Sequence, residues 1–228
     1  MRFFEFFALY NYCEGLVTII ALIAFIFSLK HYGRHRAFRI LPYYFGSWLL
    51  MEGTEFYWYI SLPGDRSTNA LNLISASFTV FEFCVFSVLF LHFIAGAARR
   101  LAVKLNTVIF LIAEFFLYFR AFPRNPIASM CLLESAALVP LCVIYFYELF
   151  TNMNTKALKD RPSFWVVTGI MCQNAFNTCL LLSKEYMGRF SNGAYTFAIL
   201  FYCALFVLFM RAYKCSPEEG GQANFKVR

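Results

Sequence analysis

Seven long apolar runs, separated by short polar breaks, dominate the pattern of this chain. Each run has about the 20 residues that a helix needs to cross the hydrocarbon core of a bilayer. Only helices and closed barrels satisfy every backbone N–H and C=O group in lipid. The runs therefore predict an all-α membrane protein, a bundle of seven transmembrane helices. They span residues 9–29, 40–61, 71–95, 103–121, 127–150, 163–183 and 193–213.

Prolines and the C-terminal stretch refine these boundaries. Pro140 lies within the fifth run, where its missing N–H predicts a kink. Ser163 follows Pro162 and is expected to be the N-cap of the sixth helix. Residues 215–228 are polar and contain glycine, so we expect a transmembrane domain over 1–214 and a disordered cytoplasmic tail over 215–228.

Composition agrees with a chain whose main solvent is lipid. Hydrophobic residues make up 61% of the chain and charged residues only 14%, and the mean hydropathy is +0.60. A soluble domain carries about 25% charged residues. The net charge of +7 does not indicate nucleic-acid binding, because the basic residues lie in short breaks between apolar runs.

The basic residues instead predict the orientation. If the N-terminus lies outside, 14 of the 20 Lys and Arg residues fall in cytoplasmic segments and 6 in outer segments. Cytoplasmic loops of membrane proteins carry such an excess. We therefore expect a multi-pass protein of the inner membrane with its N-terminus outside and its C-terminus in the cytoplasm.

Carboxylates inside the apolar runs are the candidate functional residues. A carboxylate near the centre of a transmembrane helix costs about 2.5–3.5 kcal/mol on insertion scales. Glu52, Glu55 and Tyr59 share one face of the second helix. Polar residues of other runs lie at similar or more central depth, so we expect one polar, carboxylate-lined pocket in the outer half of the bundle. Its predicted ligand-binding residues are Glu52, Glu55, Tyr59, Glu82, Glu114, Glu134, Asn174 and Asn177.

Several of these residues belong to polar stripes. Ser75, Thr79 and Glu82 follow one face of the third run, and Glu14 lies on a similar stripe of the first. Lys and Arg occur only near the ends of the runs and not in the interior of any run, so the carboxylates lack a basic partner at their own depth. They are neutral, or hydrogen-bonded to polar neighbours, or they face a cavity that holds water, a cation or a cationic ligand. A single Glu can also join helices structurally, at about 0.6 kcal/mol per hydrogen bond.

The sequence supports few catalytic chemistries. The last run contains no lysine for a retinal Schiff base, and His92 is the one intramembrane histidine, too few for a zinc hydrolase. A carboxylate-only metal site or a carboxylate-catalysed lipid reaction has no motif behind it. No catalytic or metal-binding residue is therefore predicted. Glu148 is expected at the inner surface, and His31 and His35 in a solvated basic loop.

Three stretches resemble a known family. NLISASFTVFEFCVFSVLF in the third run resembles the N-L-x-x-x-x-T-x-x-E-F pattern of an uncharacterised family of small seven-helix membrane proteins from Bacteroidetes-type bacteria. RPSFWVVTGIM is similar to its P-S-F-W-x-x-x-G signature, and LPYYFGSWLLMEGTEFYWY to its L-P-x-Y start with a mid-helix Glu. The last run has fewer Asn residues than the family pattern. The matched signature positions are Glu82, Pro162, Ser163, Phe164, Trp165 and Gly169.

The resemblance implies a role and two structural positions. Genes of this family often lie beside sensor histidine kinases, which implies a membrane component of a signalling system with a kinase as partner. Trp165 would be an interfacial anchor and Gly169 a point of close packing.

Three functions follow from these observations. The first is a non-enzymatic membrane sensor or signalling component whose pocket binds a small ligand, a proton or a cation. Its basic cytoplasmic loops would contact a signalling partner or membrane lipid. The second is a proton- or cation-coupled transporter, in which the carboxylates are the coupling sites. The third is an intramembrane lipid-modifying enzyme, which needs two carboxyls with room for water between them.

Overall fold

The computed structural model of the chain describes residues 2–61, 68–121, 127–151, 158–187 and 192–215. Over these ranges the regular elements are all helical, without any strand. Short 3-10 turns lie at Arg36–Ile40 and Leu158–Asp160. The α helices are α1 (Arg2–Lys30), α2 (Leu41–Ser61), α3 (Thr68–Phe93), α4 (Ala97–Ala121), α5 (Ile127–Thr151), α6 (Pro162–Met187) and α7 (Asn192–Lys214).

Each predicted run corresponds to one of these helices, so the all-helical architecture is confirmed. The helices extend beyond several of the runs. α4 begins at Ala97, six residues before its predicted start at position 103. Arg99 and Arg100 cause this difference, because they are good helix formers but do not belong to an apolar run.

Within the described residues, three helices are long and apolar enough to cross a membrane by length and composition. Their qualifying segments are Asn72–Phe93 in α3, Ala97–Phe119 in α4 and Ser129–Thr151 in α5. These segments support a membrane protein, because their backbone groups are satisfied within each helix.

Six of the helices form a closed ring. They follow one another in the order α1, α2, α3, α5, α6 and α7, and α7 packs back against α1. α4 lies outside this ring against α3 and α5. Its outward face exposes large apolar side chains, which suits contact with lipid: Leu101, Leu105, Val108, Ile109, Ile112, Phe115, Phe116 and Phe119.

Aromatic rings fill much of the interior of the ring of helices. Tyr44 of α2 lies with its ring centroid 5.3 Å from Phe86 of α3 and 6.2 Å from Phe209 of α7. Phe45 of α2 lies 5.5 Å from Phe206 of α7. All five side chains are fully buried. The aromatic richness of the sequence therefore serves packing between α2, α3 and α7.

The start of α6 differs from the prediction. α6 begins at Pro162, so Ser163 is a helical residue and its assignment as the N-cap is wrong. Proline suits the first helical position, because the N–H that it lacks would have no partner there. The Ser163 hydroxyl instead accepts a hydrogen bond of 2.9 Å from the hydroxyl of Tyr145 in α5.

Pro140 lies inside α5, which continues on both sides of it. Proline removes one backbone hydrogen bond and displaces the carbonyls of the preceding turn. The side-chain amide of Asn106 in α4 donates to the carbonyl of Ala137, which lies in that turn, at 3.2 Å. This bond joins α4 to the turn of α5 that precedes the proline.

Two positions singled out by the resemblance pack closely. A Cβ atom at Gly169 of α6 would lie 2.9 Å from Cδ1 of Leu205 in α7, so glycine permits this approach of the two helices. The indole N–H of Trp165 donates to the carbonyl of Lys159 at 2.8 Å, and the Arg211 guanidinium lies 5.7 Å from the indole ring centroid. Trp165 thus contacts both the 3-10 turn before α6 and the last turn of α7.

The basic end of the bundle is the end at which α1, α3, α5 and α7 finish. Glu148 of α5 is buried there, so its expected place at the surface is wrong. It pairs with Arg99 of α4 at 3.0 Å and accepts a hydrogen bond of 3.2 Å from the Ala95 N–H. These contacts fasten the turn between α3 and α4 to the end of α5.

His35 is also buried at the basic end, with only 7% of its surface exposed. Its ring centroid lies 5.0 Å from that of Phe38 and 6.3 Å from that of Tyr213. The expectation that His35 is solvated is therefore wrong. His31 is partly buried, with its ring 4.2 Å from Phe27.

Candidate functional site

The predicted polar residues form two groups in the structure. We call Glu82, Glu114 and Glu134 the central cluster, because all three are buried between α3, α4 and α5. We call Glu14, Glu52 and Glu55 the peripheral group, which lies where α1, α2 and α3 approach one another at the end opposite the basic end. Ser75 and Glu82 of α3 mark the levels of the two groups, about 10 Å apart along the helix at 1.5 Å per residue.

Glu82 is the best-connected member of the central cluster. It is 3% exposed, and its Oε1 atom accepts a hydrogen bond of 2.7 Å from the hydroxyl of Tyr44 in α2. The side chain of Gln173 in α6 lies close enough to Glu82 to interact with it. Phe83 and Phe86, which lie one and four residues after Glu82 on α3, are fully buried.

Glu134 and Glu114 complete the central cluster. Glu134 is 6% exposed and lies near both Glu82 and Glu114. Glu114 is 2% exposed, because the side of α4 that carries it packs against the ring of helices. Both carboxyl oxygens of Glu114 and the Oε1 atom of Glu134 are shielded from solvent and have no hydrogen-bond partner among the described residues.

α6 and α7 add neutral polar groups beside the carboxyls. Gln173 is buried, and its Oε1 atom finds no hydrogen-bond donor within the described ranges. Tyr202 of α7 lies near Glu82, Glu134 and the side chain of Gln173. The buried amide oxygen of Asn174 accepts a hydrogen bond of 3.1 Å from Ser135.

The peripheral group is less enclosed. Glu52 and Glu55 are partly buried, and Glu14 of α1 lies close to both. The Ser75 hydroxyl donates a hydrogen bond of 3.0 Å to Oε1 of Glu55. This bond joins α2 to the polar face of α3.

Tyr59 and Asn177 are the remaining predicted site residues. Tyr59 lies in α2, but its side chain is outside the described residues. Asn177 is partly buried on α6, one turn beyond Asn174, and the described part of the chain gives it no hydrogen bond to either group. A ligand-binding role for all eight predicted residues stays a prediction.

Sequence reasoning missed several neighbours of the central cluster. Tyr44 and Tyr202 lie in apolar, aromatic runs, where a tyrosine indicates packing, and Gln173 is not among the predicted site residues. Cys131 lies near Glu82, Glu134 and Glu114 and contacts Thr79. A spacing signal existed for Cys131, which precedes Glu134 by three residues and so shares its helix face.

Among the described side chains, neither the central cluster nor the peripheral group has a basic partner. The ion pair found among these side chains is Arg99–Glu148, at the basic end. A buried, unpaired carboxylate costs several kcal/mol after relaxation of the protein. Such a group takes up a proton instead. The sequence left three explanations for carboxylates without a basic partner. The neutral, protonated state suits Glu114, and hydrogen bonding suits Glu82.

No three His, Cys, Asp or Glu side chains converge to hold a metal ion in the part of the chain that the structure describes. A cavity of about 290 Å³ lies between α2 and α3 on the outer side of the ring. Its lining is mainly apolar and includes Leu50, Met51, Phe78 and Phe81. None of the residues that line this cavity belongs to the central cluster or to the peripheral group.

Comparison with known proteins gives no match: no family model, curated protein or solved structure is significantly similar to the chain.

Proposed function

We propose that this chain is an integral membrane protein whose central cluster binds protons, and that it acts as a non-enzymatic sensor or signalling component. One observation carries the proposal. In the part of the chain that the structure describes, both carboxyl oxygens of Glu114 and one of Glu134 are buried without a hydrogen-bond partner, beside the hydrogen-bonded Glu82.

A proton suits this cluster better than a larger ligand does. A small-molecule site encloses about 300–1,000 Å³. The unpartnered oxygens of Glu114 and Glu134 are in contact with protein atoms and not with solvent-sized space. A proton needs no cavity, and it removes the cost of an unpaired buried charge. Among the ligands expected from the sequence, the proton therefore has the strongest support.

Protonation at this place is coupled to conformation. The carboxyls lie on three helices, α3, α4 and α5, and Tyr44 attaches Glu82 to a fourth helix, α2. An ionised Glu114 or Glu134 needs water or a new donor, which the observed packing lacks. Deprotonation therefore favours a rearrangement between α4 and the ring, and such a change is what a sensor transmits.

The interior favours sensing over transport. A transporter needs a polar route from its binding site to both sides of the membrane. On the basic side of the central cluster, the described interior is filled mainly by fully buried apolar side chains: Phe86, Leu89, Phe90, Phe206 and Phe209. A proton bound at Glu82 has no polar route through these side chains.

Seven membrane crossings, an N-terminus outside and a place in the inner membrane belong to the proposal. Seven α helices of 21 to 29 residues support the number of crossings. The bias of Lys and Arg supports the orientation. The basic end would then face the cytoplasm, where it would contact anionic lipid or, as the family resemblance implies, a sensor kinase.

Infrared difference spectroscopy on the purified full-length protein tests the proton site. The C=O stretch of a protonated carboxyl group should appear on going from alkaline to acidic buffer. Glu82→Gln, Glu114→Gln and Glu134→Gln should each change this band. Glu148→Gln is the matched control, because Glu148 already has Arg99 and the Ala95 N–H as partners.

Two outcomes would contradict the proposal. If wild type and all three central variants give the same carboxyl spectrum, the central cluster is not a proton-binding site. Pumping or leak of protons by wild-type proteoliposomes, lost in Glu82→Gln, would replace sensing by transport.

A further inference from the structure

A polar face of α3 connects the peripheral group to the central cluster. Ser75, Thr79 and Glu82 follow one another at intervals of four and three residues, so they share one side of the helix. Thr79 and Glu82 are buried, and Ser75 is partly buried. Ser77, on the other side of α3, is exposed and hydrogen-bonds only to the carbonyl of Leu73, at 2.7 Å.

The end of this face that carries Ser75 contacts the peripheral group. The Ser75 hydroxyl donates to Glu55 at 3.0 Å, and Glu52 and Glu14 lie close to Glu55. These three carboxyls are partly exposed, whereas the central cluster is buried. The titratable groups facing Glu55 are Glu14 and Glu52 alone among the described side chains.

The end of this face that carries Thr79 and Glu82 lies at the central cluster. The Thr79 hydroxyl donates to the carbonyl of Ser75 at 3.1 Å, and Thr79 also contacts the Cys131 thiol of α5. Cys131 lies beside Glu82 and Glu134. The titratable groups facing Glu82 from the surrounding helices are Tyr44, Cys131, Glu134 and Tyr202, and Glu114 reaches it through Glu134.

We infer that this face of α3 is the route by which protons reach the central cluster, with Glu14, Glu52 and Glu55 as the groups that collect them. The inference rests on the proposed function, because it assumes that the central cluster binds protons. Independently of the polar face, the Oε1 atoms of Gln173 and Glu134 at the end of the route are buried acceptors without a donor among the described residues, which is where an added proton would form a hydrogen bond.

Hydroxyl groups suit such a route, because each is both a donor and an acceptor. In the structure Ser75 donates to Glu55 and Thr79 donates to the carbonyl of Ser75, so transfer starts with both hydroxyls turning toward the central cluster. A proton then leaves the Glu55 carboxyl for the Ser75 oxygen, and the hydrogen of the Ser75 hydroxyl moves on toward Thr79. Thr79 passes its own hydrogen toward Glu82 and Glu134 in the same way. Both hydroxyls end neutral, so Glu55 loses one proton and the central cluster gains one.

The rate of proton uptake after a rapid pH change tests this inference. The full-length protein is mixed with acidic buffer, and the carboxyl infrared band of the central cluster is followed with time. We expect Ser75→Ala, Thr79→Val and Glu55→Gln to slow its appearance about tenfold or more, which corresponds to a higher barrier for transfer. The final amplitude of the band should be unchanged, because the route affects the rate and not the equilibrium.

Matched variants separate a route from a structural effect. Ser77→Ala removes a hydroxyl from the same helix and should leave the rate unchanged. Ser75→Thr keeps the hydroxyl and should restore the wild-type rate. Helical circular dichroism and the melting temperature identify any variant that fails to fold, and the remaining two variants then decide.

The outcomes distinguish this inference from the proposed function. Wild-type rates with full amplitude in Ser75→Ala, Thr79→Val and Glu55→Gln would overturn the route and leave the proton site in place. Absence of a pH-dependent carboxyl band in the wild type would overturn the proposed function, and the route with it.

Discussion

The hydroxyl of Tyr44 donates a hydrogen bond of 2.7 Å to Glu82, and this bond joins α2 to α3 inside the ring of helices. Both side chains are buried, and Tyr44 also contacts aromatic rings of α3 and α7. The pair therefore connects the central cluster to the aromatic packing of the bundle. A change at Glu82 can act on α7 through Tyr44.

Tyr44→Phe should lower the free energy of unfolding by about 1–2 kcal/mol. The substitution leaves a buried carboxyl oxygen without its donor, which costs about 1–3 kcal/mol, above the average of about 0.6 kcal/mol for hydrogen bonds between transmembrane helices. Thermal unfolding in detergent micelles measures the loss. Tyr57→Phe is the control, because Tyr57 is exposed. Equal melting temperatures of the two variants would contradict the importance of this bond.

Gly169→Leu should destabilise the protein by about 1–3 kcal/mol, the usual cost of overpacking. A Cβ atom at Gly169 already meets Cδ1 of Leu205 at 2.9 Å and the backbone Cα of Leu205 at 3.5 Å. Gly53→Leu should be tolerated, because no atom lies within 4 Å of a Cβ atom at Gly53. Chemical denaturation of both variants checks the difference, and similar midpoints would argue against close packing of α6 on α7.

Arg99 and Glu148 should show a coupling energy of about 1 kcal/mol, at the upper end of the range for exposed pairs, because the carboxylate is largely buried. A double-mutant cycle with Arg99→Ala and Glu148→Gln measures it from unfolding free energies. Lys104→Ala combined with Glu148→Gln is the reference cycle, and its effects should add within about 0.5 kcal/mol. Additive effects in the first cycle would mean that the ion pair does not stabilise the turn between α3 and α4.

Acid should destabilise the basic end through His35. Burial, and then the charge of Arg34, lower the pKa of His35 below its ordinary value of 6.5, while backbone carbonyls near Tyr213 and Cys215 oppose this shift and His31 adds to it. Below pH 6.5 the unfolded chain therefore binds a proton that the folded chain resists, so stability declines as the pH falls. Above that pH the neutral His35 has no such effect.

His35→Gln should reduce the loss of stability between neutral and acidic pH, since glutamine does not titrate. Melting temperatures measured across this interval check the slope. His92→Gln is the control, because the His92 ring is exposed on α3. If His35→Gln and wild type lose stability in parallel, protonation of His35 does not contribute.

Much of the candidate site could be read from the sequence, but not its arrangement. Glu82, Glu114 and Glu134 were predicted as site residues and lie together, whereas Glu52 and Glu55 belong to a separate group with Glu14. Depth along a helix follows from the rise per residue, which is why the central carboxyls were found. Lateral neighbours do not follow from that rise, which is why Tyr44 and Tyr202 were missed.

The amino-acid sequence by itself determined the number of helices, their approximate bounds and the polar face of α3. It does so because an apolar run in lipid must satisfy its backbone within one helix, and because side chains four and three residues apart share a face. Only the tertiary structure decided that α4 lies outside a ring of six helices, that the carboxyls divide into two groups, and that Glu148 and His35 are buried. These features depend on how whole helices are ordered and rotated against one another, which is set by the packing of many side chains and not by any local pattern.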